Sequence, residues 1–504
     1  MKLSKLLKPL ADRELRQYTD RSIQGLTLDS RRVRPEFLFA VVPGPKSDGT
    51  AYVADAVARG AVAVLATREV PVPPHVALIL VPNVRQALAD LCAHFHGRPA
   101  GLVRTTGITG TNGKTTTAML VHWLLAKDGK QAGLLTTVLN QVGSRRERAA
   151  NTTPESPDLQ ELFAQMVEQH VRYAVMEVSS QSLDQERVRG VPFAVAALTN
   201  VTPHEHLDYH GTFENYLNAK ARLFSSLAPG ATAVLNADDP QCGFFRERRG
   251  PGNVLTYGLQ ATVDVTAAIE GMTIAGTTLR LHTPVGHVRT RSPLIGGFNV
   301  QNILAGTCCA LALGVGLSTI AEGIEQFAGA QGRLERVNEG QPFTVLVDYA
   351  HNNDGLRSVL STLKPLAAPG RLIVVFGCGG DRDPSKRPLM GATATHYADV
   401  TLVTADNSRS ERTEDIIAEI LAGANPQAHC VVEPDRREAI RRAVAMAAPR
   451  DLVVICGKGH EDHQEIAGVR TRFDDCSEAR RALGLLQRRS RASSRRTFVA
   501  PAAH

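Results

Sequence analysis

Residues 107–117 read GITGTNGKTTT and lie between a short β-rich run, Val103 to Thr106, and the apolar helical stretch AMLVHWLLAK. A strand, a glycine loop ending Gly113-Lys114-Thr115 and a helix together make a phosphate-binding device. Loop amides and the helix N-terminus offer unpaired N–H donors and a positive dipole end to an anion. Lys114 can add a point charge at the outer phosphates, and Thr115 can place its hydroxyl on magnesium. Strict Walker spacing requires glycine where this chain has Ile108, so generic P-loop hydrolases are not the best match. The plain alternative is a glycine turn that happens to carry Lys-Thr; the strand and helix around it weigh against that. A nucleoside triphosphate is the expected ligand, held by Gly110, Thr111, Asn112, Gly113, Lys114, Thr115 and Thr116.

At 504 residues the chain is long enough for several domains, and three are expected. Its formal charge of +7 is partly local, because Arg488 to Arg496 reads RRSRASSRR. That stretch lacks interleaved aromatic residues, so a solvated, disordered tail (489–504) is expected rather than a nucleic-acid arm. The N-terminus has no unbroken apolar core for a signal peptide, and CCALALGVGL from Cys308 is too short to cross a bilayer. Eight scattered cysteines without a CxxC pair suit idle thiols in a reducing compartment. A cytoplasmic protein is expected.

Three blocks follow one another. In the first, to about Arg98, TLDSRRV and FLFAVV read as strands, and AYVADAVARGAVAVLA reads as a helix running into a strand. The second alternates in the βα manner. YAVMEV (Tyr173 to Val178) and AVAALTNV are apolar runs of buried parallel strands, and Ser156-Pro157 reads as a helix N-cap followed by a first-turn proline. Residues 252–295 alternate like antiparallel strands, after which GGFNVQNILAGTCCALALG turns helical. The third block, from Gly332, carries FTVLVDY, RLIVVFG, VTLVTAD and DLVVICG, each ending in polar or glycine residues. Ligands of open α/β sheets bind at the carboxyl ends of strands, so these four ends should share one face. The fold class is α/β throughout: a mixed first domain (1–98), a central domain with a mostly parallel sheet (99–332) and a Rossmann-like third domain (333–488).

Several residues stand out chemically. Glu177 ends a buried strand, where a carboxylate is seldom left without a metal, base or hydroxyl. His204, Glu205, His206, Asp208 and His210 crowd one loop; zinc is conceivable, but the nearby phosphate loop favours magnesium, with one or two of these groups touching it. Lys220 reads by default as an exposed helical lysine. Asn151-Thr152-Thr153-Pro154 is an ordinary turn or a donor set for phosphate or carboxylate. Arg333 and Asp348 flank the boundary between blocks, where an arginine could clamp phosphates. Arg382 and Arg409 at strand ends suit a carboxylate. With Glu461 at a third end they suggest an amino-acid ligand.

Taken together, GTNGKTTT, NTTP, MEVSSQSL, DYHGTFENYLNAKARLF, GGFNVQNILAG, GRLE, VDYAH, GGDRD, DNSR and GKGHE closely resemble the Mur ligases in content and order. These are ATP-dependent amino-acid ligases of peptidoglycan precursor synthesis, and the closest resemblance is to the members that add the third residue. It runs from about Leu26 to Leu486. It implies that Lys220 is carbamylated, supplying oxygens to a magnesium ion also held by Glu177 and His206, with Thr115 on a second, nucleotide-bound ion. It implies that Asn151, Thr152, Thr153, Ser179, Gln185 and Arg187 hold the muramoyl dipeptide and that Leu28 and Ser30 meet its uridine end. Asn299, Arg333 and Asp348 match nucleotide contacts. Arg382, Asp406, Asn407, Ser408, Arg409, Gly457 and Glu461 match the pocket for the incoming amino acid. Arginine at 409 goes with meso-diaminopimelate, whose extra carboxylate lysine lacks. Three positions depart from the pattern: Ser408 replaces a usual proline, Asn352-Asn353 replaces Thr-Pro, and Pro45 to Ser47 lack the usual histidine.

The resemblance implies an acyl-phosphate reaction. The D-Glu side-chain carboxylate of UDP-MurNAc-L-Ala-D-Glu attacks the γ-phosphate of ATP, with Lys114 and two magnesium ions neutralising charge, and the diaminopimelate amine then forms the amide. Domain closure is expected around the substrates. A monomer is expected, with no nucleic-acid partner and no transmembrane segment. Rivals are a folylpolyglutamate-type ligase, a lysine- or ornithine-adding enzyme, and a non-catalytic nucleotide-binding regulator using its basic tail. The regulator should have lost Lys220, Glu177 or Arg409, and all are present.

Overall fold

A computed structural model describes residues 1–44, 48–203 and 205–496, with side chains up to 488 at the C-terminal end. Its contacts divide the chain into two units, Met1–Thr266 with Leu304–Ile320, and Ala267–Ile303 with the chain from Ala321 on.

The first unit holds two sheets. Strands β1 to β5 (Glu14–Arg16, Gly25–Thr27, Phe37–Ala40, Ala61–Ala66, Ala77–Leu80) form one in the order β1-β5-β4-β3-β2. Only β1 runs antiparallel to its neighbour. TLDSRRV is not a strand beyond Thr27. Asp29 accepts from the Arg31 amide and starts a 3-10 turn over Ser30–Arg32, so local capping by the aspartate outcompetes extension.

The second sheet contains β6 to β13: Arg104–Thr109, Ala132–Leu135, Leu139–Val142, Arg145–Arg148, Tyr173–Glu177, Phe193–Leu198, Thr232–Asn236 and Asn253–Tyr257. Their order is β13-β12-β11-β6-β10-β7-β8-β9. The first six in that order run parallel and β8 and β9 close one side as antiparallel strands. The β13 segment therefore corrects the antiparallel reading of 252–295 at its start, because it extends the parallel sheet. Helices Ser156–Glu168 and Phe213–Ser225 bury Phe163, Met166, Tyr216, Leu223 and Phe224 with Met176, Ala196 and Leu198 of the strands. Glu155, not Ser156, is the N-cap residue of the first of these helices; Ser156 and Pro157 are already in its first turn.

In the second unit, β14 to β16 (Thr266–Thr273, Gly276–Thr283, Gly286–Ser292) form a three-stranded sheet, with β15 and β16 antiparallel as the alternation predicts. Strands β17 to β22 (Glu335–Val337, Thr344–Asp348, Leu372–Phe376, Val400–Val403, Cys430–Val432, Leu452–Cys456) form a six-stranded sheet in the order β17-β18-β22-β19-β20-β21. All but β17 are parallel. Successive residues of these strands face opposite layers. Leu346, Val374 and Val454 pack with Leu356, Leu360 and Met390 on one side. Val345, Val347, Ile373 and Ile455 pack with Ile440, Val444 and Leu483 on the other. Burial on both faces explains the unbroken apolar runs in the sequence. A hairpin, β23 and β24 (His463–Ile466, Val469–Arg472), follows the last central strand.

The C-terminal helix spans Asp475–Arg496 and so continues through the basic stretch where a disordered tail is expected. Residues 497–504 lie outside the described residues. Among the described residues no helix is long and apolar enough to cross a membrane.

Candidate functional site

The phosphate loop joins β6 to the helix Lys114–Lys127. Gly110 (φ 149°) and Gly113 (φ 86°) adopt conformations that side chains resist, and a Cβ on Gly110 would overlap Thr199 Oγ1. The loop is held from the next strand end. Asn200 accepts from the amides of Thr111 (2.8 Å) and Asn112 (3.0 Å), and Thr199 Oγ1 donates to the Asn112 carbonyl at 2.6 Å. Thr111 Oγ1 accepts from the Thr202 amide and bonds Tyr216 Oη at 2.9 Å. Thr116 is buried in the first helical turn.

Lys220 is not the exposed helical lysine of the default reading. It is 1% exposed, donates to the Gly110 carbonyl at 3.1 Å and sits 4.5 Å from the centre of the Tyr216 ring. Lys114 donates to the same carbonyl at 2.9 Å and to that of Thr111. Burial pushes the Lys220 ammonium well below the ordinary lysine range, and the neighbouring Lys114 pushes it the same way. Both causes push the amine toward its neutral, nucleophilic form.

Glu177, at the end of β10 and 1% exposed, accepts from Thr115 Oγ1 (2.8 Å), the Thr137 amide (2.8 Å) and Thr137 Oγ1 (3.1 Å). None of these donors is a cation, so a buried carboxylate stands beside a threonine hydroxyl. That oxygen-rich donor set suits a hard divalent cation. His206, in a left-handed conformation, lies 3.4 Å from Gln181 Nε2 through its Nδ1. His210 instead bonds Ser180 Oγ at 2.9 Å and is buried, a structural placement. His204 lies outside the described residues. Among the described residues no three His, Cys, Asp or Glu side chains gather as a metal-binding group.

The residues matched to the dipeptide converge beside Glu177. Thr152 Oγ1 accepts from Thr137 Oγ1 at 3.2 Å, Thr153 Oγ1 donates to the Glu177 carbonyl, and the Ser179 amide donates to Thr153 Oγ1. Arg187 donates to the Thr153 carbonyl and to Gln185 Oε1, and pairs with Glu155 at 3.0 Å. Asn151 is exposed at the start of this loop. Leu28 and Ser30 follow β2 at the carboxyl edge of the first sheet. On that edge a cavity of about 460 Å³ is lined by Val41, Asp48, Thr50, Thr67 and Arg68 among others. Pro45 to Ser47 lie outside the described residues.

In the second unit the four strand ends do share one edge, since β18, β22, β19 and β20 are parallel neighbours. Asp348 is buried and accepts from the amides of Leu334 and Ala350 at 2.8 Å each. Burial raises its carboxyl, with Arg333 acting against the rise. Arg333 lies 4.5 Å over the Tyr349 ring, and its buried Nε has no hydrogen-bond partner among the described residues. Asn299 is buried and donates to the Ile295 carbonyl. Arg409 and Arg382 flank Gly379: a Cβ there would meet Arg409 Nη1 at 3.2 Å and Arg382 Cγ at 3.9 Å. Asn407 Nδ2 donates to Glu461 Oε2 at 2.8 Å, and Gly457 (φ 116°) passes so close to Asp406 that a Cβ would lie 2.6 Å from Oδ2.

Two of the three departures have local hydrogen-bond partners. Ser408 is fully buried and bonds Thr413 Oγ1 at 2.7 Å. Asn352 caps the helix Asn353–Ala367 through the Gly355 amide. Sequence reasoning missed Thr137, Tyr216 and the β23–β24 hairpin. The hairpin pins the 406–409 turn: the Glu465 carbonyl accepts from the Arg409 amide, the Gly468 amide donates to the Arg409 carbonyl, and Gln464 Nε2 donates to the Asp406 carbonyl. Tyr216 carried a signal, being four residues before Lys220 on one helix face; the hairpin carried none.

Comparison with known proteins gives three matches in chain order. Residues 22–96 match the Mur ligase family catalytic domain, 108–310 the Mur ligase middle domain, and 332–459 the Mur ligase glutamate ligase domain. A Geobacillus kaustophilus protein named UDP-N-acetylmuramoyl-L-alanyl-D-glutamate--2,6-diaminopimelate ligase is 44% identical, covering 96% of this chain and 99% of its own. A protein of the same name from Thermosynechococcus vestitus is 42% identical over 92% of this chain and 94% of its own. A solved structure of a ligase of that name matches with a TM-score of 0.68 at 33% identity, covering 97% of this chain and all of its own. A MurF ligase from Thermotoga maritima in complex with ADP shares the fold, with a TM-score of 0.65 at 19% identity over 92% of this chain and 98% of its own. With three ordered matches and full-length relatives at this level of identity, the chain belongs to the Mur ligase family.

Proposed function

We propose that the chain is an ATP-dependent ligase that joins meso-2,6-diaminopimelate to the D-Glu side-chain carboxylate of UDP-MurNAc-L-Ala-D-Glu through an acyl phosphate. The observation that carries this reading is its 44% identity, over nearly the whole length of both chains, to a relative of that name. In this reading the enzyme acts in peptidoglycan precursor synthesis, in the cytoplasm, as a monomer. Its domains are taken as 1–98 for the uridine end, 99–332 for ATP and 333–488 for the amino acid.

In this reading the loop amides of Gly110 to Thr116 and the ammonium of Lys114 receive the β- and γ-phosphates of ATP. Asn299, Arg333 and Asp348 are nucleotide contacts in this reading, and an Arg333 Nε without a hydrogen-bond partner among the described residues supports a role toward phosphate. Thr115, Glu177, His206 and a carbamylated Lys220 would hold magnesium, two ions in all, which when bound neutralises charge on the transferring phosphoryl group. The neutral amine favoured at Lys220 is the form that reacts with carbon dioxide to make a carbamate. Asn151, Thr152, Thr153, Ser179, Gln185 and Arg187 orient the dipeptide so that its carboxylate is the attacking group, while Leu28 and Ser30 take the uridine end. Arg382 and Arg409 grip the carboxylates of diaminopimelate, and Glu461, supported by Asp406, Asn407, Ser408 and Gly457, receives an ammonium. The free amine then displaces phosphate from the acyl phosphate.

Phosphate release with UDP-MurNAc-dipeptide and ATP, comparing meso-diaminopimelate, L-lysine and L-ornithine, tests this. A charge-assisted pair at Arg409 predicts that diaminopimelate is preferred by at least about tenfold in kcat/KM. Equal or better turnover of lysine or ornithine would identify a lysine- or ornithine-adding enzyme instead.

A further inference from the structure

Lys458 has no role in the reaction as described, yet it is fully buried two residues beyond the end of β22. An ammonium withdrawn from water costs several kcal/mol unless protein oxygens replace its hydration. Here Nζ donates to Asn407 Oδ1 at 3.0 Å and to Glu461 Oε2 at 3.1 Å. Asp406 completes the cluster. Burial pushes its carboxyl up, but Lys458 and then Arg436 outweigh that and hold it below its ordinary value.

The consequence lies in how the neighbours are oriented. With Oδ1 of Asn407 turned to the ammonium and also accepting from the Glu465 amide at 3.0 Å, its Nδ2 is left to donate to Glu461. Glu461 Oε2 therefore receives both Asn407 and Lys458, while no hydrogen bond from the described residues reaches Oε1. One oxygen of the carboxylate is tied down and the other is left for a ligand. Lys458 itself has no exposed surface through which to touch that ligand.

We propose that Lys458 is a positioning residue for the incoming amino acid: by anchoring Glu461 Oε2 and Asn407 Oδ1 it fixes where the carboxylate receives the ligand's ammonium. The proposal rests on reading this cluster as the amino-acid pocket. A purely structural lysine would change stability and leave the three substrates equally affected.

Steady-state kinetics of the full-length protein separate the two. Lys458→Met is expected to raise KM for meso-diaminopimelate by at least about tenfold, with KM for ATP and for UDP-MurNAc-dipeptide within about twofold of the starting protein. Introduced into Glu461→Gln, the same change is expected to add less than about threefold, because the carboxylate it positions is already gone. Uniform KM shifts, or full additivity with Glu461→Gln, would overturn the proposal. Thermal melting checks folding; if Lys458→Met does not fold, Lys458→Gln, which keeps a donor without the charge, is measured for the same split and the same additivity. A starting protein that turns over none of the three amino acids defeats the ligase reading itself. A working enzyme with uniform effects defeats only the role of Lys458.

Discussion

Lys114 and Lys220 donate to one and the same oxygen, the Gly110 carbonyl, at 2.9 and 3.1 Å. Two ammonium groups so close repel each other, and the buried one yields its proton more readily. The arrangement makes the helical lysine the candidate for chemical modification.

Lys220→Ala is accordingly expected to lower ligase turnover by a factor on the order of 10²–10³, and added bicarbonate should not restore it. Phosphate release with all substrates present and bicarbonate in excess measures this. Activity within a few-fold of the starting protein would remove the carbamate role.

Gly110→Ala tests the loop. The backbone there has a φ of 149°, and the added methyl would overlap Thr199 Oγ1. A loss of about 1–3 kcal/mol is expected in urea unfolding, together with a raised KM for ATP. An unchanged unfolding midpoint and KM would show that the loop relaxes freely.

Arg436 and Asp475 form an ion pair in which neither side chain has exposed surface, and Arg436 also donates to the carbonyls of Ala405 and Cys456. Those carbonyls lie at the ends of the strands that carry Asp406 and Gly457. Arg436→Met leaves a buried carboxylate and two carbonyls without their donor, so a loss of about 3–5 kcal/mol is expected by denaturant titration. A loss below about 1 kcal/mol, the range of a surface pair, would contradict the buried geometry.

His210 supplies a pH dependence. Burial lowers its ring below the ordinary histidine range, with Asp184 and Asp208 acting against the shift. A base with a depressed folded value binds fewer protons folded than unfolded, so its presence costs stability as pH falls below about 6.5 toward the folded value. Above about 6.5 it is neutral in both states and costs nothing. His210→Gln should therefore flatten the loss of stability between neutral and mildly acidic pH, read from unfolding midpoints across that range. Parallel curves for the two proteins would place the titration elsewhere.

Much of this protein can be read from local pattern. The strand–loop–helix of the phosphate site, the apolar runs of the parallel strands and the polar strand ends depend on periodicity and turn chemistry within short windows, and the sheets place them as the pattern predicts. Where the reading fails, either a local competitor wins or a distant partner decides. The Asp29 cap turns TLDSRRV into a 3-10 turn, and β13 joins a parallel sheet that only its distant neighbour β12 could reveal.

The sequence by itself therefore determined the α/β class, the order of the motifs and the family they belong to. Tertiary structure alone decided which polar groups lie together and how far water is removed from them. It brought Lys220 to Gly110 across 110 positions, enclosed Glu177 among threonines, and placed the β23–β24 hairpin against the turn that carries Arg409. Burial and pairing set the charge state of a lysine or carboxylate, and both are properties of residues far apart along the chain.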